Sequence, residues 1–354
     1  MLYIYFLKLI KSKRITYIYS GEIMKKIFLL FSLLFSLTSC QFEKEQKETT
    51  TSVVASSYIV IEQSTNKILE GFNYHETRSV ASISKIMTAI VAIENSDIYE
   101  TVKVPEDIKK VDGSSMYLKV NQEITIIDLL YGLLLRSGND AAVTLALSVS
   151  KTMNEFVDLM NQKAYELNMN HSVFNNPHGL DGDDGGNLST AYDMAILYSY
   201  CLQNPVFSTI TSAKTHANYV NKNKLLRNYD YCTGGKTGFT TKAKRTLVTS
   251  ASKDDIHLIV VTLNCGNDFE THRNKYEYYF NHYQSIKILN KNENSFDNQV
   301  FYCQKDYYFI TNENDLSLLY QLNLNEQTIK VTLFDKNKYV LEDIIVPISL
   351  KDKV

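Results

Sequence analysis

The chain has 354 residues, 44% hydrophobic and 21% charged, with a formal net charge of −2. That is a globular composition, long enough for one large domain with a small one beside it. The near-neutral charge gives no support for nucleic-acid binding, and the seven histidines show no HxxH or HxxxH spacing, so no metal site is expected.

Met24-Lys25-Lys26 and the apolar run after it read as a signal peptide, too short and too abruptly ended for a membrane span. Leu37-Thr38-Ser39-Cys40 closes the run and resembles a bacterial lipobox, in which Cys40 is lipidated and becomes the first residue. A secretion signal with a chance cysteine and an uncleaved anchor are the alternatives. Residues 1–23 make no sense ahead of a signal peptide, so translation is expected to start at Met24. The expected order is a lipoprotein signal peptide over 24–39 and a polar, lipid-anchored tether over 40–57. Cys201, Cys232, Cys265 and Cys303 remain, with no CxxC among them. Cys201 and Cys265 fall in apolar patterns that favour buried thiols, and spacing does not decide pairing.

Residues 58–62 and 67–72 read as paired strands around the polar turn 63–66. A helix opens at Ser82 and runs through apolar 86–93. Residues 101–123 read as short strands and turns. From Thr125 the pattern is helical and apolar on most faces, breaks at Ser137-Gly138-Asn139-Asp140, and resumes over 141–148. Further helices are expected over 153–167 and 190–202, with a Gly- and Asp-rich loop at 175–187 between them. Residues 245–251 and 257–264 read as strands, and 268–288 as a tyrosine-rich helix. After that, 299–303, 328–334, 307–311 and 339–347 read as short strands. The expected fold is α+β: one sheet of sequence-distant strands flanked by helices over 58–288, a helical insertion over about 120–210, and a small all-β domain over 289–354.

Ser82 and Lys85 are the first candidate pair. Positions i and i+3 share a helix face, and a buried lysine whose pKa falls can take a serine proton. Ser-x-x-Lys also occurs at Ser64–Lys67, in a turn, at Ser148–Lys151, at a helix end, and at Ser250–Lys253, at a polar break between strands. Only Ser82 opens an apolar core helix. The plain alternative is an N-cap serine and a solvated lysine. Ser137 and Asn139 sit at a helix break, where a hydroxyl passes protons and an amide holds both a substrate carbonyl and the lysine. Lys236, Thr237 and Gly238 follow a glycine pair and offer charge, a hydroxyl and a smooth strand edge. The alternative of a phosphate loop needs a glycine five residues before Lys236, where Tyr231 stands.

The order SxxK, SxN, KTG resembles the signature of penicillin-recognising serine enzymes. ASISKIMTA, GSSMYLKVNQEITIIDLLYGLLLRSGNDAA, FNNPHGLD, STAYDMA and GGKTGFT narrow it: they resemble the D-alanyl-D-alanine carboxypeptidases of the low-molecular-mass penicillin-binding class. The resemblance covers about residues 57–283 and implies a β-lactamase/DD-peptidase-like fold. It implies that Ser82 attacks the carbonyl between the last two D-alanines of a peptidoglycan stem peptide and Lys85 takes its proton. Ser137 and Asn139 assist proton transfer and position the substrate. Lys236 and Thr237 hold the terminal carboxylate, Gly238 lets substrate lie along the strand, and the N–H groups of Ser82 and Phe239 form the oxyanion hole. β-Lactams are implied as covalent inhibitors and no cofactor is implied. Lys222, in the basic stretch 221–227, is a further candidate for the carboxylate. An exported, lipid-anchored enzyme on the outer face of the cytoplasmic membrane follows from Cys40. Lys244 departs from the small residue usual there and is expected to crowd the turn. The competing readings are a D,D-endopeptidase, a serine β-lactamase, for which Glu166-Leu167-Asn168 has the wrong spacing, and a non-catalytic cell-wall-binding lipoprotein.

Overall fold

The computed structural model describes residues 55–182 and 185–350. The expected start at Met24, the signal peptide, Cys40 and most of the tether lie outside the described residues.

Five antiparallel strands form the central sheet: β1 (Ala55–Glu62), β2 (Ile68–Phe72), β3 (Cys232–Thr240), β4 (Lys244–Lys253) and β5 (Ile256–Cys265). Their spatial order is β2-β1-β5-β4-β3, so strands from both ends of the sequence meet and β3 is an edge. Alternation along the strands divides two cores. Ile59, Ile61, Val248, Ile259 and Val261 face the helical layer. Val60, Leu258 and Val260 face a helix on the other side, together with its Tyr276, Tyr279 and Phe280.

The helical layer contains α1 (Lys85–Asn95), α2 (Ile126–Tyr131), α3 (Asn139–Val149), α4 (Met153–Glu166), α5 (Ala191–Leu202) and α6 (Pro205–Ser212); α7 (Asp268–His282) covers the opposite face. Capping follows local chemistry: Thr152 and Glu155 form a capping box on α4, Thr190 accepts the Asp193 N–H on α5, and Asn204 precedes Pro205 on α6. α1 is buried from Lys85 to Ala92 and forms the centre of the layer.

Several elements differ from expectation. The first strand begins at Ala55, so residues 55–57 pair in the sheet instead of belonging to the tether. Ser82 lies on a 3-10 turn, Ala81–Ser84, that precedes α1. The helix expected over 268–288 ends at His282, because Gln284–Leu289 is a strand bonded to Tyr307–Thr311. Ser250 and Lys253 lie inside β4, and the break falls at Asp254 and Asp255, both in left-handed backbone. Helix α6 was not anticipated.

The chain then forms β6 (Gln284–Leu289), β7 (Asn292–Phe296), β8 (Gln299–Cys303), β9 (Tyr307–Thr311), β10 (Ser317–Asn323), β11 (Thr328–Phe334) and β12 (Val340–Pro347). Phe301, Phe309, Ile329, Val331, Leu333 and Val346 make a core of their own. Cys201, Cys232, Cys265 and Cys303 are free thiols. No described helix is long and apolar enough to cross a membrane.

The β1–β2 turn joins the two parts. Buried Glu62 accepts from Ser64 N at 2.7 Å, Ser64 Oγ at 2.8 Å, Thr65 N at 2.7 Å and Thr65 Oγ1 at 2.7 Å. Ser64 Oγ accepts in turn from Tyr308 N at 3.0 Å, and Lys67 pairs with Glu342 at 2.5 Å. Removing the carboxylate strands the buried Ser64 N–H and the half-buried Thr65 N–H. Glu62→Ala should therefore destabilise the protein by about 3 kcal/mol in denaturant titrations. A loss under about 1 kcal/mol would mean that the turn re-pairs without it.

Candidate active site

Backbone strain delivers Ser82. Ala81 before it has φ +51°, a left-handed conformation that residues with a Cβ avoid, and the 3-10 turn then runs straight into α1. The i, i+3 spacing sets Lys85 Nζ 3.1 Å from Ser82 Oγ. Lys85 is fully buried, with 0% exposure, although it is a lysine in the first turn of a helix. Its amine also reaches Asn139 Oδ1 at 2.7 Å and the carbonyl of His178.

The second motif arrives from a distorted helix. After α2 the chain continues as a π-helical turn, Gly132–Arg136, and ends at Ser137 with φ +67°. Such turns recur at functional sites because they redirect side chains. Gly138 N donates back to Gly132 O at 3.1 Å, and Asn139 starts α3. Ser137 and Asn139 thereby point to the same side as Ser82.

The third motif lies on edge strand β3. Lys236 Nζ is 3.0 Å from Ser137 Oγ and donates to Thr237 O at 2.7 Å. Gly238 has to be glycine: a Cβ there would lie 3.0 Å from Ser82 N and 2.4 Å from Thr246 Oγ1. The strand edge thus runs flush against the turn carrying Ser82. Thr237 is half-buried and Phe239 is 64% exposed at the rim. All three sequence motifs converge. Lys222 joins them from the segment between α6 and β3: its N–H donates to Leu135 O at 3.1 Å and its Nζ to Ser114 Oγ at 2.8 Å. Cys40 lies outside the described residues. Lys244, expected to crowd the turn, has an exposed side chain and φ +59°, so it shapes the β3–β4 turn without entering the site.

The loop after α4 was not assigned a role from sequence, yet it closes the site floor. Thr88 Oγ1 donates to Pro177 O at 2.6 Å, the His178 carbonyl receives Lys85, and a Cβ on Gly179 would lie 2.2 Å from Ala81 O. FNNPHGLD was legible as a distinctive string, but a backbone carbonyl leaves no mark in side-chain pattern.

Electrostatics follow from crowding. Burial pushes the Lys85 amine down to about 7, the nearby Lys222 cation pushes it the same way, and Asp140 partly offsets them. Burial, with Lys85 and Lys222 beside it, holds Lys236 well below the ordinary lysine range. Lys222 keeps an exposed flank, but partial burial of its amine and the Arg136 guanidinium lower it too. A neutral Lys85 has the lone pair that a serine proton needs. A site where these amines crowd together also favours an anionic ligand. Among the described residues no group of three or more His, Cys, Asp or Glu side chains is placed to hold a metal.

Acylation of Ser82 by a covalent probe should fall about tenfold per pH unit below pH 7, as Lys85 becomes protonated. Lys222→Ala removes a cation that disfavours the protonated form. The acid limb should then move to higher pH in the rate-versus-pH profile. A limb that stays in place or moves to lower pH would mean that Lys222 does not set the state of Lys85.

Comparison with known proteins agrees with this arrangement. The family described as Peptidase_S11, D-alanyl-D-alanine carboxypeptidase, matches residues 43–267. The D-alanyl-D-alanine carboxypeptidase DacF of Bacillus subtilis is 29% identical over 308 residues, covering 81% of this chain and 78% of that protein. The D-alanyl-D-alanine carboxypeptidase DacB2 of Mycobacterium tuberculosis is 33% identical over 218 residues, 59% of this chain and 74% of that one. In fold, penicillin binding protein 5 from Haemophilus influenzae superposes with a TM-score of 0.73 at 24% identity, covering 85% of this chain and 98% of that chain. With three motifs gathered on one α+β scaffold and a family match across most of the chain, this protein belongs to the D-alanyl-D-alanine carboxypeptidase family of serine peptidases.

Proposed function

We propose that the chain removes the terminal D-alanine from peptidoglycan stem pentapeptides through an acyl-enzyme on Ser82. The observation that carries this reading is the buried Lys85 amine, 3.1 Å from Ser82 Oγ and lowered to about 7. Lys85 takes the Ser82 proton as Oγ bonds to the carbonyl carbon between the last two D-alanines. The N–H groups of Ser82 and Phe239 receive the oxyanion. The proton passes by way of Ser137 to the departing amine nitrogen, the C–N bond breaks and D-alanine leaves. Water then adds to the ester carbonyl, gives a proton to the same base, and frees Ser82. Lys236, Thr237 and Lys222 take the substrate carboxylate, and Asn139 holds both the substrate amide and Lys85. A penicillin enters the same step and stays as the acyl group.

Lys222 at the site mouth supports a carboxypeptidase over an endopeptidase, because its cation, held by Ser114 Oγ at 2.8 Å, offers a charge partner to a free terminal carboxylate that a continuing chain lacks. The test supplies purified protein with a stem pentapeptide and with its C-terminal amide. D-alanine should come from the free-carboxylate peptide, with a preference of roughly ten- to hundredfold from one charge-assisted contact. No release from either peptide would overturn the reading. Ser82→Ala should lose all labelling by a fluorescent penicillin while folding normally, and Lys85→Ala should acylate ~10²–10⁴-fold more slowly. Labelling that persists in folded Ser82→Ala would place the nucleophile elsewhere.

We further propose attachment to the outer face of the cytoplasmic membrane through lipid on Cys40. The apolar run ending at Leu37-Thr38-Ser39-Cys40 supports it. Diacylglyceryl modification supplies two chains, enough for stable anchoring. Cys40→Ala should move the protein out of the membrane fraction or leave it unprocessed. A membrane-bound variant with unchanged mature mass would reject the lipid.

A further inference from the structure

We propose that Asp140 is a positioning residue of the site: its carboxylate sets the conformation of residues 112–118, and that loop aims the Asn139 amide at Lys85 and holds Lys222 through Ser114. The inference rests on the carboxypeptidase reading above.

Asp140 follows Asn139 in the first turn of α3 and is 5% exposed. Both of its oxygens are occupied. Oδ1 accepts from Met116 N at 2.9 Å and Ala141 N at 2.9 Å; Oδ2 accepts from Ser115 Oγ at 2.6 Å and Leu118 N at 3.1 Å. An acceptor with two full oxygens is needed to hold four donors at once, and only a carboxylate of this reach supplies it. Three of the four donors belong to the loop. The clamp takes the N–H groups on either side of Tyr117, which adopts φ +64° and is 77% exposed. A tyrosine in that conformation is strained and stays there because its neighbours are held. The clamp also seats Met116 against the π-helical turn, where a Cβ on Gly132 would lie 1.8 Å from its Sδ.

The loop then acts on the catalytic groups. The Asp112 carbonyl accepts Asn139 Nδ2 at 2.5 Å, and the Ser114 carbonyl accepts Asn139 N at 2.7 Å. These bonds leave Asn139 Oδ1 facing Lys85, at 2.7 Å. With the loop gone, the amide is free to turn its NH2 toward an amine that needs an acceptor. Ser114 Oγ is the partner of Lys222 Nζ. One carboxylate, itself buried, therefore sets both the base and the carboxylate-recognising cation.

The test measures kcat and KM for the stem pentapeptide and its C-terminal amide in the full chain. Asp140→Asn keeps the size but supplies one acceptor oxygen and sets an NH2 group against N–H donors. It should lower kcat by about tenfold to a hundredfold, the scale of a small misplacement of catalytic groups. It should also reduce the preference for the free-carboxylate peptide by about tenfold as Lys222 loses its seat. Loss of fold alone would lower turnover of both peptides equally, so the preference ratio separates the two. Ser115→Ala removes one clamp bond and should shift kcat and the ratio in the same direction by less. If Asp140→Asn does not fold, Ser115→Ala decides. An unchanged ratio in the folded variant would overturn the role of Asp140. Failure of the wild-type protein to release D-alanine would instead reject the carboxypeptidase reading.

Discussion

The site depends on taking a lysine amine out of water. Lys85 sits on α1, the helix at the centre of the layer, and every neighbouring residue from Ile86 to Ala92 is buried with it. Burial disfavours the charged form, and a second cation nearby acts in the same direction. Among the described residues no carboxylate pairs directly with the amine; it is met by a hydroxyl, an amide oxygen and a backbone carbonyl. In the neutral amine, the amide oxygen and the carbonyl take the two N–H groups and the lone pair is left to the Ser82 hydroxyl. A carboxylate in their place would hold it protonated and unable to act as a base.

The remaining geometry follows from holding that amine against an open strand. β3 is the sheet edge, so one side of its backbone has no partner strand among the described residues. Edge strands are a hazard in most proteins, and here the edge lies beside the serine turn. Gly238 permits the close approach. An extended peptide can add to such an edge as a further strand and bring its carbonyl toward Ser82. Strain at Ala81 and Ser137 flanks the same place, where packing of α1, α3 and the 177–179 loop holds it.

The strands after α7 form a separate core, yet they are bonded to the catalytic sheet through Ser64, Tyr308, Lys67 and Glu342. The contact is polar and specific, and it falls at the β1–β2 turn, beyond the catalytic motifs. None of these strands pairs with the edge of β3.

The three motifs and the apolar helix that follows Ser82 were legible in the chain, because the spacing of i and i+3 and the composition of a buried helix are local properties. So were the α+β class and most strands, whose β-branched runs alternate with polar turns. Boundaries were less legible. The tyrosine pattern of α7 continues past His282, and only pairing with 307–311 turns Gln284–Leu289 into a strand. The π-helical turn was also hidden, since a π-turn and an α-turn have the same apolar composition and differ in which carbonyl each N–H finds. Above all, the sequence determined which groups are present, while tertiary structure decided their state. A lysine in a helical first turn reads as solvated until the loop carbonyl of His178, the amide of Asn139 and the cation of Lys222 are brought around it from 54 to 137 residues away. Charge, hydrogen bonding and pKa depend on distance in space, and no pattern along the chain records that.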